Sequence, residues 1–503
     1  MTETIVVGLD GANWALLRPW LDDGTLPNIA ALRDDGVSSD MESCLPPVTC
    51  PNWRCYTTGK NPGKLGVFWW EKIDTTNRTL TTPTSRSFDS ANYWDYLNED
   101  DLTAGILNVP MTYPPDELDG FLVSGGPGSE QDAYTHPPEL GDDLDSRGYQ
   151  LHPTVPVTAD EDREAADAMV DLIDDRLATF RDLIDENPVD VAHCTVFYVN
   201  VLQHFFWRGE PTRRAWEVID DHLGDLREEH PDATLLLMSD HGCTDIDTVF
   251  NANAWLESMG YLVTDRKGTD AFVKLGLNKK RASQLAHRFG VHDLVVRHAP
   301  ERLKNSVPDD EEGFKREQKL ERVNWDETTA IASGQGLVYV VGDDAAVTEQ
   351  LLGDLRNLRD HEGRPVASEV LRREDAYSGS HVDEAPTVVF DQRPGVHTSG
   401  AIGDNPVFER PGKWAAENVR TGLFLAAGPD VEGTLEETVS ILDVAPTVLH
   451  SVGSAVPTDV DGRALDLFGG ESPGERDPIP ASAVDSASDQ SVQDRLADLG
   501  YLE

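Results

Sequence analysis

Positive charge is scarce in this chain of 503 residues, where 42 Lys and Arg face 91 Asp and Glu, for a formal net charge of −49. A nucleic-acid duplex repels such a surface, because duplex binding needs a basic footprint. Only 11 of the cations are lysines. A folded, lysine-poor, acidic chain is typical of proteins from salt-loving microbes, in which salt screens self-repulsion. Recruitment of a basic partner is the alternative, but the acidic residues are spread along the chain.

Cysteines and long apolar runs are also few. The chain has five cysteines, an odd and small number that argues against a disulfide framework and for reduced thiols. These cysteines are either small packing residues or, alternatively, include a substitute metal ligand or redox-sensitive thiolate. The N-terminal MTETIVVGLDG has no basic region or cleavage site of a signal peptide. No apolar run approaches the roughly 18 residues of a membrane span. We therefore expect a cytoplasmic protein with no membrane contact.

Apolar residues still make up 39% of the chain, with 11 Trp, 11 Tyr and 15 Phe, which is enough for a folded core. Short apolar runs that end in polar or Gly residues predict buried strands at Ile5–Leu9, Val191–Val199, Thr234–Met238 and Leu423–Ala427. Amphipathic stretches predict helices at Leu26–Asp35, Glu161–Asn187 and Pro211–Glu229. This alternation predicts an α/β fold with a mostly parallel sheet and helices on its faces.

Charge and composition also divide the chain. Residues 266–307 carry ten Lys and Arg against three acidic residues, a local net charge of +7. We interpret residues 263–384 as an inserted cap region, whose cations are either merely solvated or collect an anionic substrate. Residues 1–262 and 385–468 would then form the core. We interpret residues 469–503 as a flexible acidic tail that ends in a short helix, Val492–Leu502.

Side chains that suit metal chemistry follow the predicted strands. Asp10 ends the first strand, Asp240 and His241 follow another, and His204 lies four residues after Asn200. Ligand sites of parallel sheets lie at these strand ends. Imidazole and carboxylate groups suit Zn²⁺, and two such ions about 4 Å apart can clamp a phosphoryl group. A threonine in a proline-rich loop, Thr49, would then be the nucleophile.

Several segments carry a family resemblance: VVGLDGANW, LPNIAAL, LPPVTCPNW, TTGKNPGKLG, NVPMTYPP, VNVLQHFFW and MSDHG. With the C-terminal TGLFLAAGPDVEG and ILDVAPTVLHSVG, they resemble the alkaline phosphatase superfamily, and within it the type I phosphodiesterase / nucleotide pyrophosphatase family. The resemblance runs from residue 4 to about 468. It implies an alkaline-phosphatase-like three-layer sandwich with an inserted cap.

The resemblance also implies two divalent metal ions, Zn²⁺ or alternatively Mn²⁺. One ion would be held by four matching residues: Asp10, Thr49, Asp240 and His241. The other would use Asn200, where the family has Asp, with His204 and a C-terminal His. A neutral amide oxygen is a poorer ligand for a dication than a carboxylate.

The C-terminal ligand is a second departure, because Asn418 stands where the family has His. His397 could supply this ligand from a differently built loop, with His381 a weaker candidate, or the site could be vacant. Lys60 would support the phosphoryl oxygens as a catalytic residue, although TTGKNPGK lacks the spacing of a nucleotide-binding P-loop.

The resulting expectation is a hydrolase of phosphodiester or nucleotide pyrophosphate bonds that forms a phospho-threonine intermediate on a small anionic phosphate ester. Two alternatives stay open. One is a sibling phosphomonoester, phosphonate or sulfate-ester hydrolase, or a mutase. The other is a binding protein that keeps the fold with one metal ion or none, which the two Asn replacements favour.

Overall fold

A fully buried apolar strand, Thr4–Leu9, opens the chain and lies inside the central sheet. The computed structural model describes residues 2–126, 129–153, 163–264, 320–435, 438–469 and 472–481. The basic stretch 266–307 and the predicted helix Val492–Leu502 lie outside these residues. Within the described ranges, no helix is both long and apolar enough to cross a membrane.

The strands of the described residues are, in chain order, β1 (Thr4–Leu9), β2 (Val37–Glu42), β3 (Lys72–Asp74), β4 (Thr79–Thr81), β5 (Ala104–Pro110), β6 (Gly120–Gly125), β7 (Thr135–His136), β8 (Val191–Val196), β9 (Thr234–Met238), β10 (Gly242–Asp245), β11 (Thr248–Asn251), β12 (Ala330–Ala332), β13 (Leu337–Val340), β14 (Ala367–Arg372), β15 (Val388–Gln392), β16 (Val396–Ser399), β17 (Phe408–Glu409), β18 (Ala416–Val419), β19 (Thr421–Ala427), β20 (Val439–Ser440), β21 (Val456–Pro457) and β22 (Glu475–Arg476).

The α-helices of the same residues are α1 (Trp14–Asp22), α2 (Pro27–Asp35), α3 (Thr49–Thr58), α4 (Pro62–Leu65), α5 (Tyr93–Glu99), α6 (Pro138–Arg147), α7 (Arg163–Glu186), α8 (Tyr198–Phe205), α9 (Glu210–Glu229), α10 (Ala252–Met259), α11 (Ala345–Asn357), α12 (Arg373–Ala376) and α13 (Val444–Ser451).

The central sheet has the strand order β20-β2-β19-β9-β1-β8-β5-β6-β7. Strand β1 pairs in parallel with β8 and β9, and β5 pairs in parallel with β6 and β8. Strand β19 is antiparallel to both β9 and β2. The sheet is therefore mostly parallel, as predicted, but β19 starts at the edge where β1 and β9 end.

Helices cover both faces of this sheet. Alternate residues of β1 point to opposite sides: Val7 packs with α7 and α9, whereas Val6 packs with α3, α5 and α13. Because both faces are covered, the strand is apolar throughout. This arrangement confirms the predicted three-layer architecture.

One strand end differs from the sequence prediction. The run predicted as Val191–Val199 leaves the sheet at Val196, and Tyr198–Phe205 forms helix α8. A buried strand followed directly by a buried helix reads as one apolar run, because periodicity does not separate the two over a few residues. Asn200 and His204 consequently share one helix face, one turn apart.

A second sheet has the order β12-β13-β15-β14, and helix α11 packs against it. Its apolar cluster also contains Phe250 and Trp255, which precede the predicted cap region. The predicted boundary at residue 385 falls between two paired strands, since Arg372 of β14 lies opposite Val388 of β15. This smaller unit therefore draws on chain from both sides of the expected insertion.

Candidate active site

Two carboxylates and an imidazole meet at the carboxyl end of the central strands. Asp10 directly follows β1, and Asp240 and His241 follow the neighbouring parallel strand β9. All three side chains are fully buried. One potential ligand atom from each lies within 4.8 Å of the others. We call this group the Asp10 site.

Thr49, the predicted nucleophile, is the first residue of α3 and borders the Asp10 site. Its Oγ1 lies 3.4 and 3.5 Å from the two carboxylate oxygens of Asp10. The same hydroxyl lies 3.5 Å from Nε2 of His241. The structure thus brings together the four residues that the resemblance assigns to one metal ion.

Among the described residues, no Lys or Arg forms an ion pair with the carboxylates of this group. Burial raises the pKa of Asp10 to about 8, although hydrogen bonds from Trp53, Thr49 and Asn200 oppose the shift. Burial and the adjacent Asp10 carboxylate raise the pKa of Asp240 well above its ordinary value. Burial lowers the pKa of His241 to about 3, which keeps its imidazole neutral.

The donor set fits a divalent cation. Two carboxylates and a neutral imidazole are hard and borderline ligands of the kind that Zn²⁺ and Mn²⁺ accept. Oδ2 of Asp240 is buried and has no hydrogen-bond partner among the described residues, although Nε2 of His241 lies 3.1 Å away. A buried carboxylate oxygen without a donor is costly unless a cation compensates it.

Asn200 lies against the Asp10 site as well. Its side chain hydrogen-bonds to the Asp10 carboxylate, and its Oδ1 accepts a hydrogen bond from Nε2 of Gln203 at 3.2 Å. A Cβ on Gly11, which has a φ of +69°, would lie 2.2 Å from this Oδ1. Glycine is therefore required at position 11. The amide of Asn200 adds no third negative charge beside Asp10 and Asp240.

The remaining predicted ligands line a separate small cavity of about 70 Å³. His204 lies there with Asn418, His397 and a residue that sequence reasoning missed, Glu417. We call these four residues the His204 site. Nδ1 of His204 lies 2.7 Å from the carbonyl oxygen of Ala416, and its ring stacks on Trp414 with the centroids 3.9 Å apart.

Glu417 supplies the negative charge of the His204 site. It is 2% exposed, and its carboxylate contacts Nδ1 of His397 and Nε2 of Gln335. Although burial opposes ionisation, the contact with His397 holds the pKa of Glu417 below its usual range. In the sequence, the feature that could have indicated Glu417 is that it is the one acidic residue of the segment AENV.

The two sites differ in how closely their donors meet. Within the described ranges, the Asp10 site is the one group of three His, Cys, Asp or Glu ligand atoms lying within 4.8 Å of one another. Antiparallel pairing of β10 and β18 places Asn418 opposite Cys243, which brings it near the Asp10 site. His381 lies elsewhere, with Nδ1 2.9 Å from Glu384. His397 and Asn418, by contrast, both line the same cavity as His204.

The five cysteines are free, and four of them are buried. Burial raises the pKa of the Cys50 thiol and, with neighbouring acidic groups, that of Cys243. Both thiols are therefore protonated and unreactive near neutral pH, which favours the packing interpretation.

Lys60 lies away from both sites. Its ammonium is 2.5 Å from Oδ2 of Asp459, and among the described residues no hydrogen bond or ion pair joins it to the Asp10 site. The loop after α3 directs this side chain toward the C-terminal part of the chain. The predicted role on phosphoryl oxygens is therefore not supported by its position.

Replacing Lys60 with Met should lower stability by about 1 kcal/mol, because the ion pair between the buried Lys60 and the partly exposed Asp459 is lost. The turnover number should change less than about threefold, because the ammonium is held outside the site. Thermal unfolding and steady-state kinetics measure the two effects. Lys64→Met, which breaks a neighbouring pair with Asp461, is the matched control. A selective fall in turnover for Lys60→Met would restore its catalytic role.

Trp53 positions Asp10. Its indole Nε1 donates a hydrogen bond of 2.9 Å to Oδ2 of Asp10, and a Cβ on Gly8 would lie 2.4 Å from the Trp53 ring. Groups that orient a metal ligand are often as important to the site as the ligand itself. The segment CPNW contains this residue, but no sequence pattern indicates that its indole reaches Asp10.

Trp53→Phe keeps an aromatic ring against Gly8 and removes the donor. We expect metal affinity, measured by competition with a chelator, to fall roughly 10- to 100-fold. Trp94→Phe is the control, because Nε1 of this buried Trp has no hydrogen-bond partner among the described residues. Equal metal affinity in both variants would show that Trp53 only fills space.

Comparison with known proteins agrees with this architecture. The family model for type I phosphodiesterase / nucleotide pyrophosphatase matches residues 4–414. No curated protein sequence matches the chain. Phosphonoacetate hydrolase from Sinorhizobium meliloti 1021, solved with phosphonoformate, has a TM-score of 0.56 at 14% identity, covering 90% of this chain and 95% of that chain.

Two further solved structures share the fold. An inactive variant of murine ectonucleotide pyrophosphatase / phosphodiesterase 5, solved with AMP, has a TM-score of 0.53 at 12% identity, covering 93% of this chain and 100% of that chain. A mutant of the alkaline phosphatase PafA has a TM-score of 0.54 at 12% identity, covering 93% and 99%. The family match spans most of the sequence, and the chain therefore belongs to the type I phosphodiesterase / nucleotide pyrophosphatase family.

Proposed function

We propose that the protein is a metal-dependent hydrolase of small anionic phosphate esters, with phosphodiester or nucleotide pyrophosphate bonds as the substrate class. The observation that carries this proposal is the position of the Thr49 hydroxyl, 3.4 Å from Asp10 and 3.5 Å from His241. A nucleophile beside a buried set of metal-binding donors is the arrangement that phosphoryl transfer requires. AMP and phosphonoformate, the ligands of two fold neighbours, are anions of this kind.

In this proposal Asp10, Asp240 and His241 hold one divalent cation, Zn²⁺ or Mn²⁺, next to Thr49. A cation bound there supplies Lewis-acid stabilisation of the negative charge that develops during phosphoryl transfer. Oγ1 of Thr49 gives up its proton to solvent and attacks phosphorus. The new O–P bond forms as the bond to the ester oxygen breaks, and that oxygen leaves with its electron pair and takes up a proton from solvent. Water then attacks phosphorus and cleaves the Thr49 O–P bond, which restores the hydroxyl.

A second cation would have His204, Asn200 and His397 as ligands, with Glu417 as a carboxylate that compensates for the neutral Asn200. Burial lowers the pKa of His204 to about 4, so its imidazole is neutral and able to donate an electron pair. The Glu417 carboxylate interacts electrostatically with both His397 and His204. The His204 site therefore has the chemistry for a second ion, with a carboxylate from β18 and not from α8.

Hydrolysis of bis-p-nitrophenyl phosphate by the full-length protein in high salt tests the proposal. We expect turnover after loading with Zn²⁺ or Mn²⁺ and none after chelation. Parallel assays with p-nitrophenyl phosphate and a phosphonate ester separate the sibling activities. Absence of turnover on every ester with both metals would contradict the proposed hydrolase.

A binding protein that keeps the fold is the second candidate, and the structure offers one observation in its favour. Within the described residues, the His204 site does not present three close His, Cys, Asp or Glu ligand atoms as the Asp10 site does. Metal analysis separates the candidates. Two ions per chain together with turnover support the enzyme, whereas one ion or none without turnover supports the binding protein.

A further inference from the structure

A second cavity, of about 230 Å³, is lined in part by helix α3, the helix that begins at Thr49. Arg54 of α3 and Arg86 of the turn Ser85–Ser87 line it, together with Asp95 of α5 and Asp116. We call it the Arg54–Arg86 cavity. A water molecule takes up about 30 Å³ of liquid, so this space is large enough for a small polyatomic ion.

Both guanidinium groups present hydrogen-bond donors that no acceptor among the described residues satisfies. Nε of Arg54, and Nε and Nη1 of Arg86, are buried and have no partner among the described residues. Arg54 is 3% exposed, and its Nη2 makes only a long contact of 3.5 Å with the carbonyl oxygen of Ser90. Buried charged donors without acceptors are strongly unfavourable. An anionic ligand in the cavity would supply the acceptors that the described residues lack.

The neighbouring carboxylates do not supply it. Among the described residues, neither guanidinium group forms an ion pair, because no carboxylate oxygen lies within 4.0 Å of its nitrogen atoms. The carboxylate of Asp95 instead accepts a hydrogen bond of 2.7 Å from the backbone N–H of Asn92. Burial raises the pKa of Asp95 to about 6 and raises that of Asp116. The cavity thus combines guanidinium donors that lack an acceptor among the described residues with two carboxyl groups close enough to attract Arg54.

We propose that the Arg54–Arg86 cavity binds inorganic phosphate in a protonated form. Its unprotonated oxygens would accept from the two guanidinium groups, whose planar forks suit phosphate. Its P–OH groups would donate to Asp95 or Asp116. Sulfate has the same shape but carries no proton near neutral pH, so the carboxylates would repel it. The mixed lining therefore selects phosphate over sulfate.

The site is separate from the proposed reaction centre but shares an element with it. Arg54 follows Thr49 by five residues on α3. Oγ1 of Thr57, also on α3, donates a hydrogen bond of 2.8 Å to Oδ1 of Asn92, which is part of the cavity wall. Bound phosphate would thus tie α3 to the turn at Arg86 and to α5.

Calorimetric titration of the chelator-treated, full-length protein with inorganic phosphate tests this inference without relying on metal sites or turnover. We expect about one phosphate per chain, with sulfate at least tenfold weaker. Arg86→Gln should weaken phosphate binding at least tenfold. The matched control is Arg78→Gln, which removes an exposed Arg that does not line the cavity and contacts Asp326 instead. Asp116→Asn should reduce the preference for phosphate over sulfate.

Three results would overturn the proposal. They are no phosphate binding up to about 10 mM, equal affinity in Arg86→Gln and the unmodified protein, and equal binding of sulfate and phosphate. Arg86→Lys keeps the charge and loses the planar fork, so its weaker binding would support the site even if Arg86→Gln folds poorly. Loss of hydrolysis in Thr49 variants would leave this titration unchanged.

Discussion

Thr49→Ala should reduce turnover of bis-p-nitrophenyl phosphate by at least about 10³-fold, because no other hydroxyl replaces the attacking oxygen. Stability should change by less than about 1 kcal/mol, since the Thr49 hydroxyl makes only long contacts of 3.4 to 3.5 Å with Asp10 and His241. Steady-state kinetics and thermal unfolding of the metal-loaded protein measure both quantities.

Controls separate loss of the nucleophile from damage to the helix. Thr58→Ala removes a hydroxyl from the same helix, one that donates a hydrogen bond of 2.7 Å to the carbonyl of Arg54, and should leave turnover within about threefold. Thr49→Ser should keep partial activity. Rapid quenching followed by intact-mass measurement should find one added phosphoryl group in the unmodified protein and none in Thr49→Ala. Near-normal turnover in Thr49→Ala would remove Thr49 as the nucleophile.

Most of the fold could be predicted from the sequence, because its central strands are short and apolar and are followed by polar residues. β1 and β9 were placed nearly to their ends, and Asp10 and Asp240 follow them directly. Parallel neighbours end at one edge of a sheet, which is why the Asp10 site could be assembled before its geometry was known. The start of α8 was missed, because Val196 and Tyr198 belong to one continuous apolar run.

The His204 site was harder to predict from the sequence, because its residues come from elements that are far apart in the chain. Glu417 reaches the cavity because β18 pairs with β10 and leads into the antiparallel strand β19. No short-range pattern encodes that pairing, and a single Glu among surface carboxylates carries no distinguishing spacing. Lys60 is the opposite case, since its place beside a motif suggests a role on phosphoryl oxygens, whereas its ammonium pairs with Asp459. That role stays a prediction, which Lys60→Met tests.

Asp240→Asn should have opposite effects on metal binding and on the stability of the metal-free protein. Metal affinity should fall at least about 100-fold, because an amide replaces a charged ligand, and turnover should fall with it. The metal-free variant should nevertheless be more stable than the metal-free parent, by roughly 1–3 kcal/mol. Burial next to Asp10 disfavours the Asp240 carboxylate, and a neutral amide of the same shape avoids that cost.

Asp220→Asn is the matched control, because Asp220 is also a buried carboxylate but is fully hydrogen-bonded. It accepts from the backbone N–H groups of Asn28 and Ile29 at 3.0 and 2.7 Å. Burial raises the pKa of Asp220 as well, but its replacement should still lower stability, because the NH₂ group of Asn would face the donors of Asn28 or Ile29 in place of an accepting oxygen. Metal content should stay unchanged. Elemental analysis and thermal unfolding after chelation measure both variants. If metal-free Asp240→Asn were as destabilised as Asp220→Asn, the Asp240 carboxylate would be a structural acceptor, and the Asp10 site would lose its assignment as a metal centre.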